Sequence, residues 1–543
     1  MQHRRSNTSL RSWLIFAATA LALAAIGWVV WSLATNHDVL PHIDSAHSDT
    51  SITVGLTDAP QSLDIRTDGG TAVERALIGN VYETLVTRDN DNTLQPGLAK
   101  SWKVSDDGLT YTFTMRSGLR FSNGHALDAD DVVWSLQQTV KNQYQGAGDL
   151  AALKSVESRD SRTVAITLAK PDPTLPRALA GRAGIVYDST AKVSYASEAL
   201  GSGPFTVARF DKRGTITLER NDDYWGAEAG VARVTLHYYA DDNALAEAVR
   251  GNVVDLALPG DAATANALAG DTALTITHGT STSKVMLALN NGTDSIFSDQ
   301  QARKAIRHAV DAGSIAASRP DSAGALGGPI GRLEPGYEDL TGLFPYDPGT
   351  ASALINNFIA GASYFGVIDL VVPQQYEDIG NTVATQLQAV GLSVRTDVVD
   401  GATAEQRIAD GQYTIAVTAT SGDDDAAAFG TSDNVFRYTS GTAQEAYGNA
   451  TGATNDKDYQ ERMRAFAKTV SQDAAADWLY QRNTTVVARD HASGYPTHDR
   501  PLSAARRHRQ EVARRPRGAR RRLPASARSR MGACHIIRIK SRV

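Results

Sequence analysis

Leu94-Gln95-Pro96-Gly97-Leu98-Ala99-Lys100-Ser101-Trp102 is followed by Asp107-Gly108-Leu109-Thr110-Tyr111-Thr112-Phe113-Thr114-Met115. Next come Arg116-Ser117-Gly118-Leu119-Arg120-Phe121-Ser122-Asn123-Gly124 and Ala129-Asp130-Asp131-Val132-Val133-Trp134-Ser135. Tyr111, Phe113 and Met115 alternate with threonines, the period of a half-buried strand. Ser117-Gly118 ends that strand, and Asn123-Gly124 is turn chemistry. Asp128 precedes an apolar-periodic stretch, so its carboxylate is placed to cap a helix over 129–140. Asp130 and Asp131 suit the positive end of that helix's dipole.

Outward from this run, strands and helices alternate. Ser51 to Leu56 is β-prone and stops at Asp58-Ala59-Pro60. Val73, Leu77, Ile78, Val81 and Leu85 fall at helical spacing and predict a helix over 71–86. Strands are predicted near 163–168, 205–210, 214–219, 232–239 and 285–289. Helices are predicted at 243–250, 299–310, 350–358, 380–390 and 458–472. Such alternation implies an α/β architecture. No long Pro- or Ser-rich linker divides the body, so several domains would require the chain to cross between them more than once.

The 543 residues allow two or three domains, and 42% hydrophobic with 21% charged residues is ordinary for a folded protein. The single cysteine, Cys534, excludes an internal disulfide and a cysteine-based zinc site. From residue 501 onward there are 14 Lys and Arg and one acid, Glu511, while the first 500 residues hold 59 acids against 40 bases. That acidic body argues against nucleic-acid binding, which needs cationic surface.

At the N-terminus, Arg4, Arg5 and Arg11 precede an uncharged run from Trp13 to Ala34, long enough to span a bilayer. The bias of positive charge places residues 1–12 in the cytoplasm and the rest outside. The run reads as a retained anchor, with Trp28 and Trp31 suited to an interface. It also reads as a cleavable signal peptide, with Ser32-Leu33-Ala34 as a small-x-small site. The chain is then either bound to the cell membrane with its bulk outside, or secreted. Residues 35–50 read as a stalk.

Further blocks appear in sequence. They are Pro60-Gln61-Ser62-Leu63-Asp64, Val81-Tyr82-Glu83-Thr84-Leu85-Val86, Gly201-Ser202-Gly203-Pro204-Phe205 and Arg220-Asn221-Asp222-Asp223-Tyr224-Trp225-Gly226. Asn290 follows, with Asp299, Ala302-Arg303-Lys304-Ala305 and Asp311, then Pro335-Gly336-Tyr337 and Tyr346-Asp347-Pro348. Taken singly, each is explained by turns or core packing. Their order, from about Ser51 to Pro496, resembles the family 5 extracellular solute-binding proteins of ABC importers, which bind oligopeptides, dipeptides, nickel complexes and related solutes.

The resemblance implies a two-lobed periplasmic-binding-protein clamshell with an extra subdomain, of the type II peptide-binding class, behind one N-terminal hydrophobic helix. The first lobe would be 51–86, 190–285 and 480–498, the extra subdomain 87–189, and the second lobe 286–479. The implied function is capture of a peptide or similar small solute and delivery to an ABC permease and ATPase complex. A membrane-anchored sensor or scaffold on the same fold is the alternative.

Peptide binders of this family often hold the ligand's ammonium with an aspartate after a strand of the second lobe. The matching segment here, Thr418 to Asp425, lacks the family's tryptophan and proline but offers Asp423, Asp424 and Asp425. An acid facing an ammonium makes a charge-assisted bond; the plainer reading is a solvated acidic loop. Ser202 and Gly203 near a hinge, Asn290 at the entry to the second lobe and Tyr82 as a stacking ring are the other candidate ligand contacts, against hinge or core roles. No catalytic motif, metal spacing or cofactor signature is visible, so no enzyme is expected. The Arg-rich residues 499–543 read either as an arm for RNA or a membrane surface, or as text in a shifted reading frame.

Overall fold

The computed structural model describes residues 51–260, 262–361, 366–420, 425–492 and 495. The hydrophobic run 13–34, the stalk and the basic tail lie outside them. Among the described residues no helix is long and apolar enough to cross a membrane.

The strands are β1 (Ser51–Leu56), β2 (Val86–Arg88), β3 (Leu94–Pro96), β4 (Ala99–Val104), β5 (Thr110–Met115), β6 (Leu153–Asp160), β7 (Thr163–Leu168), β8 (Phe205–Asp211) and β9 (Thr215–Arg220). They continue as β10 (Arg233–Tyr238), β11 (Leu256–Ala257), β12 (Leu274–Leu289), β13 (Ser322–Ala325), β14 (Val367–Pro373), β15 (Ser393–Val399), β16 (Ile415–Thr420) and β17 (Ala476–Arg489). One large sheet has the order β15-β14-β16-β12-β17-β11-β1-β10-β9-β8, with β13 also pairing β17. A separate four-stranded sheet has the order β4-β5-β7-β6.

The opening stretch builds that smaller sheet. In β5, Tyr111, Phe113 and Met115 are buried while the threonines between them are half-buried. The buried face packs on Val132 and Leu136 of the helix Ala129–Lys141. Asp128 caps that helix: its side chain accepts from the Asp130 amide at 2.9 Å, and Asp131 returns a bond to the Asp128 amide at 3.1 Å. Fully burying side chains of the size of Phe113 contributes about 1.5–3 kcal/mol each.

Two long strands tie the large sheet together. β12 and β17 pair antiparallel from Leu274↔Arg489 to Ala288↔Ala476, with an irregularity between Thr280 and Lys284. At the β17 Arg489 end, β11 and β1 carry a core of Ile52, Val54, Leu56 and Leu236. At the other end, β16 pairs β12, and β14 and β15 extend the sheet. Val285, Leu287 and Leu289 point into one core, while Met286 and Ala288 point into another on the opposite face. Both faces are therefore covered, which explains the unbroken apolar run.

The expected helix over 71–86 stops at Leu77. Gly79 turns the chain at φ +78°. The carbonyls of Asn80 and Val81 then accept from Phe205 and Gly203 amides, both at 2.9 Å, instead of continuing a helix. The expected strand 285–289 is the inner end of the sixteen-residue β12.

Candidate functional site

Strand direction locates the crevice. β1 runs parallel to β10 and β11, and β11 is antiparallel to β17. β16 is antiparallel to β12 and parallel to β14. The carboxyl ends of the parallel strands in both halves therefore point at the same zone. Between them the pairing is carried by β12 and β17, around Thr280↔Asn483 and Lys284↔Gln481. In open α/β sheets, ligands sit outside the carboxyl ends of the strands.

A buried charged cluster stands in that zone. Lys284 Nζ lies 2.5 Å from Glu334 Oε2 and 2.8 Å from Asp425 Oδ1. The first is a directed hydrogen bond; the second is an ion pair off the hydrogen-bond line. Thr420, which pairs with Lys284 across the β12–β16 ladder, donates its hydroxyl to Asp425 Oδ2. Burial alone would lower Lys284, but Glu334 and Asp425 outweigh it and hold its ammonium above the ordinary range. Burial pushes Glu334 up; Lys284 pulls it back and Asp425 adds to the rise, leaving it at about 8. Burial and the neighbouring Asp425 thus make a second negative charge at Glu334 costly, and the Lys284 ammonium offsets part of that cost.

Glu334 closes a turn clamped to both long strands. Its Oε2 accepts from the Gly331 amide at 2.6 Å. Gln481 Oε1 accepts from the Arg332 amide at 2.9 Å, and Gln481 Nε2 donates to the Ser281 carbonyl at 2.5 Å. The same turn presents the Leu333 carbonyl to Asn92 Nδ2 at 2.9 Å. Asn92 lies in the β2–β3 turn, next to the four-stranded sheet. Gly108, also on that side, sits so close to Thr454 that an added Cβ would stand 2.9 Å from its Cα. The turn that carries Glu334 is thus bonded to both long strands on one side and to Asn92 on the other.

The residues singled out from sequence fall in different places. Asp425 is in the buried cluster with Lys284 and Glu334; Asp423 and Asp424 lie outside the described residues. Ser202 is buried and donates to Glu83 Oε2 at 3.0 Å. Glu83 also accepts from Tyr224 at 2.8 Å and Trp225 at 2.7 Å, so these residues form one knot. At Gly203 an added Cβ would stand 2.4 Å from the Asn80 carbonyl, which explains the glycine there. Tyr82 is buried edge-on against Tyr187 at 5.3 Å between ring centres. Asn290 Nδ2 donates to the Gly411 and Tyr413 carbonyls at 3.2 and 3.0 Å, tying the end of β12 to the turn before β16.

Lys284, Glu334 and Gln481 went unnoticed in the sequence. Lys284 carried one signal: a charge directly before the apolar run Val285–Leu289. Among the described residues no group of three His, Cys, Asp or Glu side chains is arranged to hold a metal ion. A recess of about 490 Å³ lies at the β8 edge, lined by Lys192, Glu198, Arg209 and Phe210 among others. It is separate from the crevice, on an edge strand with no buried charge cluster.

The description "Bacterial extracellular solute-binding proteins, family 5 Middle" matches residues 93–439. The di/tripeptide-binding protein 2 of Pseudomonas aeruginosa is 26% identical over 412 residues, covering 68% of this chain and 75% of that protein. Among solved structures, the ABC transporter substrate-binding protein CtaP of Listeria monocytogenes superposes with a TM-score of 0.74 at 19% identity, covering 84% of this chain and 98% of that one. DppA of Helicobacter pylori, solved with the peptide STSA, gives 0.66 at 20% identity, covering 84% and 97%.

Proposed function

We infer that this chain, which belongs to the family 5 bacterial extracellular solute-binding proteins, captures a peptide or similar small solute in the crevice between its two halves and passes it to an ABC importer. The observation that carries the reading is the convergence of parallel-strand carboxyl ends on a zone bridged by β12 and β17. Two strands bend more readily than a full sheet. A solute bridging the halves then favours closure by its higher affinity for the closed form. The Pseudomonas relative's name and the peptide in the Helicobacter structure support the peptide class.

In this reading the halves act as lobes with the boundaries expected from the sequence, and residues 87–189 form the added subdomain. Asp425 belongs to the solute-facing wall, and the hydrophobic run 13–34 holds or exports the chain at the outer face of the membrane. Thermal unfolding of the full chain with di- to hexapeptides, metal complexes, sugars and opines tests the reading. A saturable rise in melting temperature with peptides supports it. A rise with another class alone removes the peptide assignment, and no rise with any class favours a scaffold.

A further inference from the structure

Three oxygens surround the Lys284 ammonium: Glu334 Oε2 at 2.5 Å, Asp425 Oδ1 at 2.8 Å and the Thr282 carbonyl at 3.3 Å. An ammonium has three protons to donate and no acceptor lone pair; two go to Glu334 Oε2 and the Thr282 carbonyl, and Asp425 Oδ1 stands against it as an ion-pair partner. Asp425 is spoken for as well, since its other oxygen takes the Thr420 hydroxyl. The lysine side chain is 1% exposed. Its backbone is held on both sides, by Thr420 in β16 and Gln481 in β17. Compare the surface pair Arg213–Asp211, whose arginine is 88% exposed. There a soluble cation could exchange with the arginine at little cost, because water solvates either one. At Lys284 neither water nor a side-chain swing offers that exchange.

The cluster therefore has the form of an ammonium seat already filled from within the chain. A solute's ammonium would have to expel Lys284 from a buried, hydrogen-bonded position or sit against it as a like charge. We propose that Lys284 is a tethered ammonium that occupies the cation seat of the crevice, so that the protein takes solutes whose end at this wall carries no free ammonium: N-blocked peptides, or uncharged or acidic small molecules. This deepens the solute-binding reading and rests on the crevice being the binding site.

The test uses the full chain and Lys284→Ala. The variant leaves a seat the size of an alkylammonium, and n-butylammonium raises its melting temperature saturably, while tetramethylammonium does not and the parent protein responds to neither. The parent binds trialanine no more tightly than N-acetyl-trialanine, and Lys284→Ala shifts that ratio at least tenfold toward the free amine. A parent protein that prefers trialanine tenfold, or a folded variant indifferent to n-butylammonium, overturns the proposal. Rescue by n-butylammonium with neither peptide bound keeps the tethered ammonium and removes the peptide reading instead. Should Lys284→Ala not fold, Lys284→Ala/Glu334→Gln, which leaves Asp425 as the only unpaired carboxyl, is judged by the same outcomes.

Discussion

Asn92 Nδ2 donates to the Leu333 carbonyl at 2.9 Å, joining the turn beside the four-stranded sheet to the turn that carries Glu334. Asn92 sits at φ +60°, a left-handed conformation that asparagine tolerates better than most residues. Asn92→Gly keeps that backbone accessible and removes the bond. A net hydrogen bond contributes about 0.5–1.5 kcal/mol. The expected result is solute affinity weakened by roughly 2- to 12-fold, with a larger solute-free radius of gyration by X-ray scattering. An unchanged radius and affinity would show that this bond does not hold the halves together.

Arg307 is buried against Asp477 at 3.2 Å and also donates to the Ser471 and Gly327 carbonyls, both at 3.0 Å. Removing one partner of such a pair leaves an uncompensated buried charge, costing about 3–5 kcal/mol. Arg307→Ala should lower stability by that amount in urea unfolding. Arg307→Met/Asp477→Leu should recover most of it. A double variant no better than the single one would place the loss in the carbonyl bonds instead.

Glu334 and Asp477 both make stability depend on pH. The folded protein holds the Glu334 proton up to about 8, against an ordinary value of 4.5, and the Asp477 proton up to about 6, against 3.8. The folded state thus binds these protons more tightly than the unfolded chain. Their stabilising contribution is full below the ordinary values and is lost as pH rises through the folded ones. Lys284 and Asp425 face Glu334, with Arg177 across the crevice; Arg307 and His308 face Asp477. Unfolding midpoints should fall as pH rises from about 4 to about 8, the span between the ordinary and the folded-state values of these two groups. Glu334→Gln should flatten the alkaline part of that fall. An equally steep fall in the variant would assign it to other groups.

The Glu83 knot predicts a local effect. Glu83→Ala removes the carboxylate that accepts from the Ser202 hydroxyl, the Tyr224 hydroxyl and the Trp225 indole N–H. Bonds to charged groups contribute about 1.5–3 kcal/mol each and do not simply add. A loss of roughly 2–4 kcal/mol is expected, with a shift in Trp225 fluorescence toward that of a more solvated indole. Glu83→Gln, which keeps acceptors in place, should lose less. Equal losses in the two variants would assign the knot's strength to charge alone.

Most elements of the fold were legible because their causes are local. The alternation Tyr111, Phe113, Met115 and the cap at Asp128 are set by side-chain period and short-range hydrogen bonding, and both stand where expected. The order of turn and aromatic blocks pointed to the family for the same reason. The outer part of β12, Leu274 to Ser283, was not legible. It is a polar stretch, and its strand form depends on β17, some 200 residues away. The helix expected over 71–86 failed at Gly79 because the carbonyls of Asn80 and Val81 find partners at Phe205 and Gly203.

The sequence by itself determined the α/β alternation, the acidic body with its basic tail, and the family resemblance. Each follows from composition, from periods of two and near four residues, or from ordered motifs. Only the tertiary structure decided that Asp425 meets Lys284 and Glu334, and that Ser202 turns inward to Glu83. Those contacts join residues 50 to 141 positions apart. The burial of these charged groups, which no period in their own stretches marked, makes each one consequential, because a charge out of water must be paired or protonated.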